Sequence, residues 1–154
     1  MNPKPVTSGL SISPQLSIAD IEAAKAQGFR SIIVNRPDGE EAGQPTIEEM
    51  RNAASAAGLG FAAIPVTPGK ASVEDAARFD LAIRTLEGPV IAYCRTGVRA
   101  ATLWALSLGS STAPDLLLQT LSSAGYDLSA MKPRLEALYK GRGASNNTDS
   151  TQNG

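Results

Sequence analysis

Short apolar runs alternate with longer amphipathic stretches as far as Arg99, and helical patterns dominate after it. Leu10-Ser-Ile12 is brief and is halted by Pro14, which predicts a short edge strand. Phe29-Arg-Ser-Ile-Ile-Val34 is rich in β-branched residues and predicts a buried parallel strand. Phe61-Ala-Ala-Ile-Pro-Val66 predicts another, with Pro65 pointing to an edge or a bulge. Val90-Ile-Ala-Tyr93 predicts a strand buried on both faces. Helix starts are marked by Ser17 with Asp20, Thr46 with Glu49, and Ser72 with Asp75, each a cap followed three residues on by a carboxylate. Gly28, Gly58 and Gly88 mark the corresponding ends. The third helix has Val73, Ala76, Ala77, Phe79, Ala82, Ile83 and Leu86 on its apolar face. Beyond Arg99, one helix carries Leu103, Trp104, Leu106 and Leu108. A second starts at Thr112 and Pro114 and runs to Gly125, and Ser129 caps a last one to about Tyr139.

Alternation of this kind predicts an α/β fold, a mostly parallel sheet flanked by helices on both faces. Residues 1–9 are polar and proline-bearing and predict a flexible N-terminal segment. Residues 10–140 are expected to form a single domain. Residues 141–154 are polar without apolar periodicity and predict a disordered C-terminal tail.

Composition narrows the chemistry. The 154 residues are 42% hydrophobic and 19% charged, which suits one domain with a real core. A net charge of −1 implies no broad basic surface, so nucleic acid is not an expected partner. No long apolar segment occurs, so neither a signal peptide nor a membrane span is expected, and the cytoplasm is the expected location. The single cysteine excludes an internal disulfide. With no histidine, a Cys/His zinc site and a Cys–His dyad are both excluded, and neither a metal nor a cofactor is expected.

That cysteine is Cys94, at the end of the Val90–Tyr93 run. Arg95-Thr96-Gly97-Val98 reads as a tight anion-binding loop, and Arg99 opens the next helix. Amides of such a loop, together with a helix N-terminus, stabilise an anion, whether thiolate or substrate. Cys94 and Arg99 are the candidate catalytic pair. Asn35 to Pro45 is a second loop after a strand, the place where ligands gather in open α/β sheets. Within it, Arg36 and Asp38 are either a local salt bridge or a second shell to the site, with Asp38 a candidate acid. Glu40 and Glu41 read as solvated, Tyr93 as a packing residue and Trp104 as core.

Cys94-Arg-Thr-Gly-Val-Arg99, Asn35-Arg-Pro-Asp-Gly-Glu-Glu41, Gly43-Gln-Pro45 and Pro65-Val-Thr-Pro-Gly69 agree in order and spacing with one family. Over roughly Ile12 to Tyr139 the chain resembles the phosphatase-like domain of the beta-lactamase hydrolase-like proteins. The resemblance implies a dual-specificity-phosphatase-like fold with Cys94 as nucleophile and Arg99 closing the loop. It also implies sulfide-related partners, since members occur alone or fused to persulfide dioxygenases and quinone-linked oxidoreductases. Ala100 stands where the family often has serine, which implies weaker phosphatase turnover.

Two reactions suit this loop. Protein tyrosine phosphatases carry C-x5-R, whereas this chain has C-x4-R, closer to the C-R-x-G-x-[RT] string of rhodaneses. Phosphatases also use an aspartate on a loop before the cysteine, and Val66-Thr-Pro-Gly-Lys70 carries no carboxylate. The preferred expectation is therefore a rhodanese-type sulfurtransferase. Cys94 takes sulfur from thiosulfate or a persulfide and passes it to a thiol or cyanide. The alternative is a phosphatase acting on phosphoesters through a phosphocysteine. A third is an anion- or persulfide-binding module without turnover.

Overall fold

The computed structural model describes residues 1–141. Five strands form one sheet in the order β1-β2-β5-β3-β4: β1 (Lys4–Thr7), β2 (Leu10–Ser13), β3 (Ser31–Val34), β4 (Gly60–Ala63) and β5 (Val90–Tyr93). β1 is antiparallel to β2, and all other pairings are parallel. The helices are α1 (Ile18–Ala26), α2 (Ile47–Ala56), α3 (Val73–Thr85), α4 (Val98–Leu108), α5 (Pro114–Ser123) and, after a 3₁₀ turn at Ser129–Met131, α6 over 132–141.

Strand alternation builds the layers. Val90 and Ala92 of β5 face one way, into a core with Ile12, Ile33, Phe79, Leu103 and Leu121. Ile91 and Tyr93 face the other, toward Leu16, Ile21, Ile32, Val34 and Met50. The first core lies under α3, α4 and α5, the second under α1 and α2. Each large apolar side chain buried this way contributes about 1.5–3 kcal/mol. β5 therefore sits in the middle of the sheet with both faces covered, which is why its sequence reads as an unbroken apolar run.

The three expected capping boxes form. Ser17, Thr46 and Ser72 each accept from the amide three residues on, and Asp20, Glu49 and Asp75 each accept the cap residue's own amide. β4 takes the sheet edge that Pro65 implied.

Two expectations change. Residues 4–7, read as part of a flexible lead-in, form β1. Pro5 is tolerated because an edge strand leaves one row of amides unpaired, and Val6 packs on the first core. β1 displaces β2 from the edge, so Ser11 and Ser13 are buried. In the last turn region Asp127, not Ser129, does the capping, by accepting the Ser129 amide at 3.1 Å. Gly141, expected to begin a disordered tail, is the last residue of α6, and the rest of that expected tail, 142–154, lies outside the described residues.

The parallel registers bring Ser13, Tyr93, Val34 and Ala63 level across the sheet. Four chain segments therefore leave the sheet at one edge, and Cys94 leaves from its centre.

Candidate active site

Cys94 follows the last residue of β5 and is fully buried. The backbone turns back over it at once. The Gly97 amide donates to Cys94 Sγ at 3.1 Å. Gly97 has φ +97° and is the N-cap of α4, so the thiol lies at a helix N-terminus. Only glycine suits this position. Besides the left-handed backbone, a Cβ here would collide with Tyr126 Oη and lie 2.8 Å from Tyr126 Cζ. Tyr126 thus presses its phenol on the loop. Burial, and then the charge of Cys94, push that phenol's pKa up.

Arg99 lies in the first turn of α4 and is nearly buried. Its Nη1 donates to Glu40 Oε2 at 2.7 Å and to the Val66 carbonyl at 2.9 Å, and its Nη2 donates to Glu40 Oε1 at 2.9 Å. That is an end-on fork on a carboxylate. A guanidinium has five N–H groups, so Nε–H and one Nη2–H remain, the pair along its side edge. Among the described residues no protein oxygen takes them. Glu40 first, with burial opposing and Cys94 adding, raises the Arg99 pKa, so the group stays charged.

Arg36 is also buried, and all its work is internal. Nε donates to Glu40 Oε1 at 2.9 Å, Nη1 to Gln15 Oε1 at 3.0 Å, and Nη2 to Glu41 Oε2 at 3.2 Å. The local salt bridge expected for Arg36 is made with Glu40 and Glu41, not with Asp38. Asp38 Oδ1 instead accepts the Ile47 amide at 2.8 Å, at the first residue of α2. That bond gives Asp38 a capping job at α2 and offers no support for an acid role. Glu40, expected to be solvated, is clamped between two arginines. Arg99 above all, then Arg36, hold its carboxyl below the ordinary glutamate range against some desolvation.

Around this cluster is a cleft of about 930 Å³. Arg95, Thr96, Val98 and Arg99, from the loop and helix start that follow Cys94, line it. Glu40, Glu41 and Arg36 line one side, and the 68–71 loop and Arg134 of α6 line another. Arg95 and Thr96 are exposed there, as a substrate-facing loop requires.

Four participants escaped the sequence: Gln15, Glu40, Tyr126 and Arg134. Gln15 is a hub. Its amide donates to the Arg95 carbonyl at 3.1 Å while its side chain receives Arg36. Asn35 does similar work at the end of β3. Its Nδ2 donates to the Ile64 carbonyl and its carbonyl accepts the Val66 amide, which sets the Val66 oxygen that Arg99 uses. Ala100 is buried in the core and brings no hydroxyl to the thiol.

The model of the phosphatase-like domain of beta-lactamase hydrolase-like proteins matches residues 3–111, well over half of the chain. The chain belongs to that family. The beta-lactamase hydrolase-like protein of Agrobacterium fabrum is 45% identical over 97 residues, 63% of this chain but 22% of that protein. The chain thus spans under a quarter of the curated relatives it matches. A candidate phosphatase from Neisseria meningitidis has a solved structure that matches with a TM-score of 0.80 at 35% identity, over 88% of this chain and 96% of that one. Another from Shewanella putrefaciens shares the fold, with a TM-score of 0.68 at 20% identity over 89% and 92%. The architecture is that of the protein tyrosine and dual-specificity phosphatases. These matches favour the phosphatase alternative and give no support to sulfur transfer or to persulfide-linked partners. Among the described residues, no helix of the phosphatase-like domain is long and apolar enough to cross a membrane.

Proposed function

We propose that the domain hydrolyses phosphate monoesters through Cys94. The observation that supports this most is a thiol seated at a helix N-terminus that interacts with Arg99, an arginine whose side edge no protein oxygen takes among the described residues. The thiolate attacks phosphorus, the S–P bond forms, and the P–O bond to the alcohol or phenol breaks. Water then attacks the phosphocysteine, releasing phosphate and restoring the thiolate. In each step the Arg99 side pair and the loop amides bind the phosphoryl oxygens, whose charge they match in geometry.

The leaving group lacks an assigned acid. Glu40 is held ionised by its arginines, Asp38 is committed to α2, and the 67–71 loop carries no carboxylate. Leaving oxygens that need no proton are therefore preferred, and aryl phosphates should turn over faster than alkyl phosphates by about 10²-fold or more.

Sulfur transfer by the same thiol is the second reading, favoured by the short C-x4-R ring and the same missing carboxylate. One pair of measurements separates them. Hydrolysis of para-nitrophenyl phosphate by the wild type, lost in Cys94→Ser, supports the phosphatase. A mass gain of one sulfur atom after thiosulfate treatment, absent in Cys94→Ser and unaccompanied by hydrolysis, supports the sulfurtransferase.

A further inference from the structure

The cleft is far larger than a phosphate. A volume of about 930 Å³ falls in the range that encloses a whole small-molecule ligand. Four arginines line it, against two glutamates. The two groups are not equivalent. Arg36 and Arg99 are bound to Glu40 and Glu41, which leaves the side edge of Arg99 and one N–H on each Nη of Arg36. Arg95 and Arg134 have no carboxylate partner among the described residues. Arg134 is nevertheless not loose. Its Nη2 donates to the Ala71 carbonyl at 2.8 Å, tying α6 to the far wall of the cleft. That one bond leaves its other N–H groups for a ligand.

We propose that Arg95 and Arg134 form a second anion subsite, and that the substrate is a small organic molecule carrying at least two phosphate groups. This rests on the phosphatase reading: one phosphate meets Cys94 and Arg99, and the other meets Arg95 and Arg134. The uncharged lining includes Pro68, Ala71 and Val98, and offers no aromatic platform for a base or a phenol ring. Specificity therefore comes from the charge at both ends. Guanidinium groups suit this task, since each presents paired donors to phosphate oxygens. Concavity favours a small molecule over a peptide, because the lining comes from segments on several sides.

The test is calorimetric binding to the Cys94→Ser protein, which separates recognition from turnover. Two pairs of probes differ by one phosphate: fructose 6-phosphate with fructose 1,6-bisphosphate, and adenosine 5′-phosphate with adenosine 3′,5′-bisphosphate. In at least one pair the bisphosphate should bind about tenfold tighter or more. Arg95→Gln and Arg134→Gln should each cut that ratio by about fivefold, and Arg134→Lys should keep more of it than Arg134→Gln. A ratio near one in both pairs overturns the subsite, as does a ratio that both glutamine variants leave unchanged. Tighter binding of a phosphotyrosine peptide than of either bisphosphate overturns the substrate class. Hydrolysis of para-nitrophenyl phosphate by the wild type is scored apart. If it is absent while the binding ratio holds, the reaction assignment fails and the subsite stands.

Discussion

Arg99 divides one guanidinium between two tasks. Its end-on fork holds Glu40 and the Val66 carbonyl, and its side edge is free for the oxyanion of the proposed reaction. Lysine has no planar fork, so Arg99→Lys should lower kcat/KM for para-nitrophenyl phosphate by about 10²–10³-fold. Glu40 acts through Arg99 and is a positioning residue. Glu40→Gln should raise KM more than it lowers kcat, with Glu40→Asp falling between, and steady-state kinetics of the three proteins checks this. The same residue gives stability a pH dependence. Its carboxyl pKa is depressed in the fold, so the pair stabilises fully above the unfolded value, about 4.3, and that contribution fades as pH falls through the lower folded value. The stability gap between wild type and Glu40→Gln, about 1–3 kcal/mol at neutral pH for a pair only partly shielded from solvent, should therefore shrink in acid. Denaturant titrations at pH 7 and pH 3.5 measure it, and an unchanged gap would refute the ion-pair account.

At the scale of elements, the helix starts and the loop turns share the burden of placing these groups. Asp38 holds the first amide of α2 from outside the helix and sits beside the capping box of Thr46 and Glu49. Asp38→Ala should cost about 1 kcal/mol of stability. If the residue were the general acid, kcat would also fall by about 10²-fold or more, and alkyl phosphates would suffer more than aryl phosphates. We expect the stability loss without that leaving-group signature. α4 starts at a glycine that has two independent reasons to be one. Gly97→Ala meets the Tyr126 ring and a left-handed backbone, and should lower stability by about 1–3 kcal/mol while misaiming the amide that faces Cys94 Sγ. Thermal melts with an activity assay on the soluble fraction test both effects.

For the whole molecule, the parallel sheet converts connectivity into chemistry. With β2, β5, β3 and β4 in register, the segments after each strand gather at one edge, and the central strand delivers Cys94, the proposed nucleophile. The net charge of −1 conceals a cleft with an excess of arginine. Affinity for an anionic substrate should accordingly weaken as salt shortens the screening length from about 10 Å at 0.1 M toward about 3 Å at 1 M. KM for an aryl phosphate measured across that range should rise while kcat changes little. A flat KM would mean that the exposed Arg95 adds nothing to capture.

Local signals carried much of this fold. Capping boxes span four residues and strands announce themselves by β-branched runs, so α1, α2, α3, β3 and β5 could be read along the chain. The Cys94–Arg99 loop was legible for the same reason, since cysteine, turn glycine and arginine lie within six consecutive residues. β1 was not, because a polar strand of four residues gains its structure only by pairing with β2. Nor was the role of Glu40, which lies 59 residues from Arg99 and meets it only when the ends of β3 and β5 are brought level. The sequence by itself determined most of the elements and the loop from Cys94 to Arg99, since those depend on neighbours in the chain. Tertiary structure alone decided which carboxylate holds Arg99, that Asp38 serves α2, and that Arg134 crosses to the cleft, because each depends on a distance that the folded sheet sets.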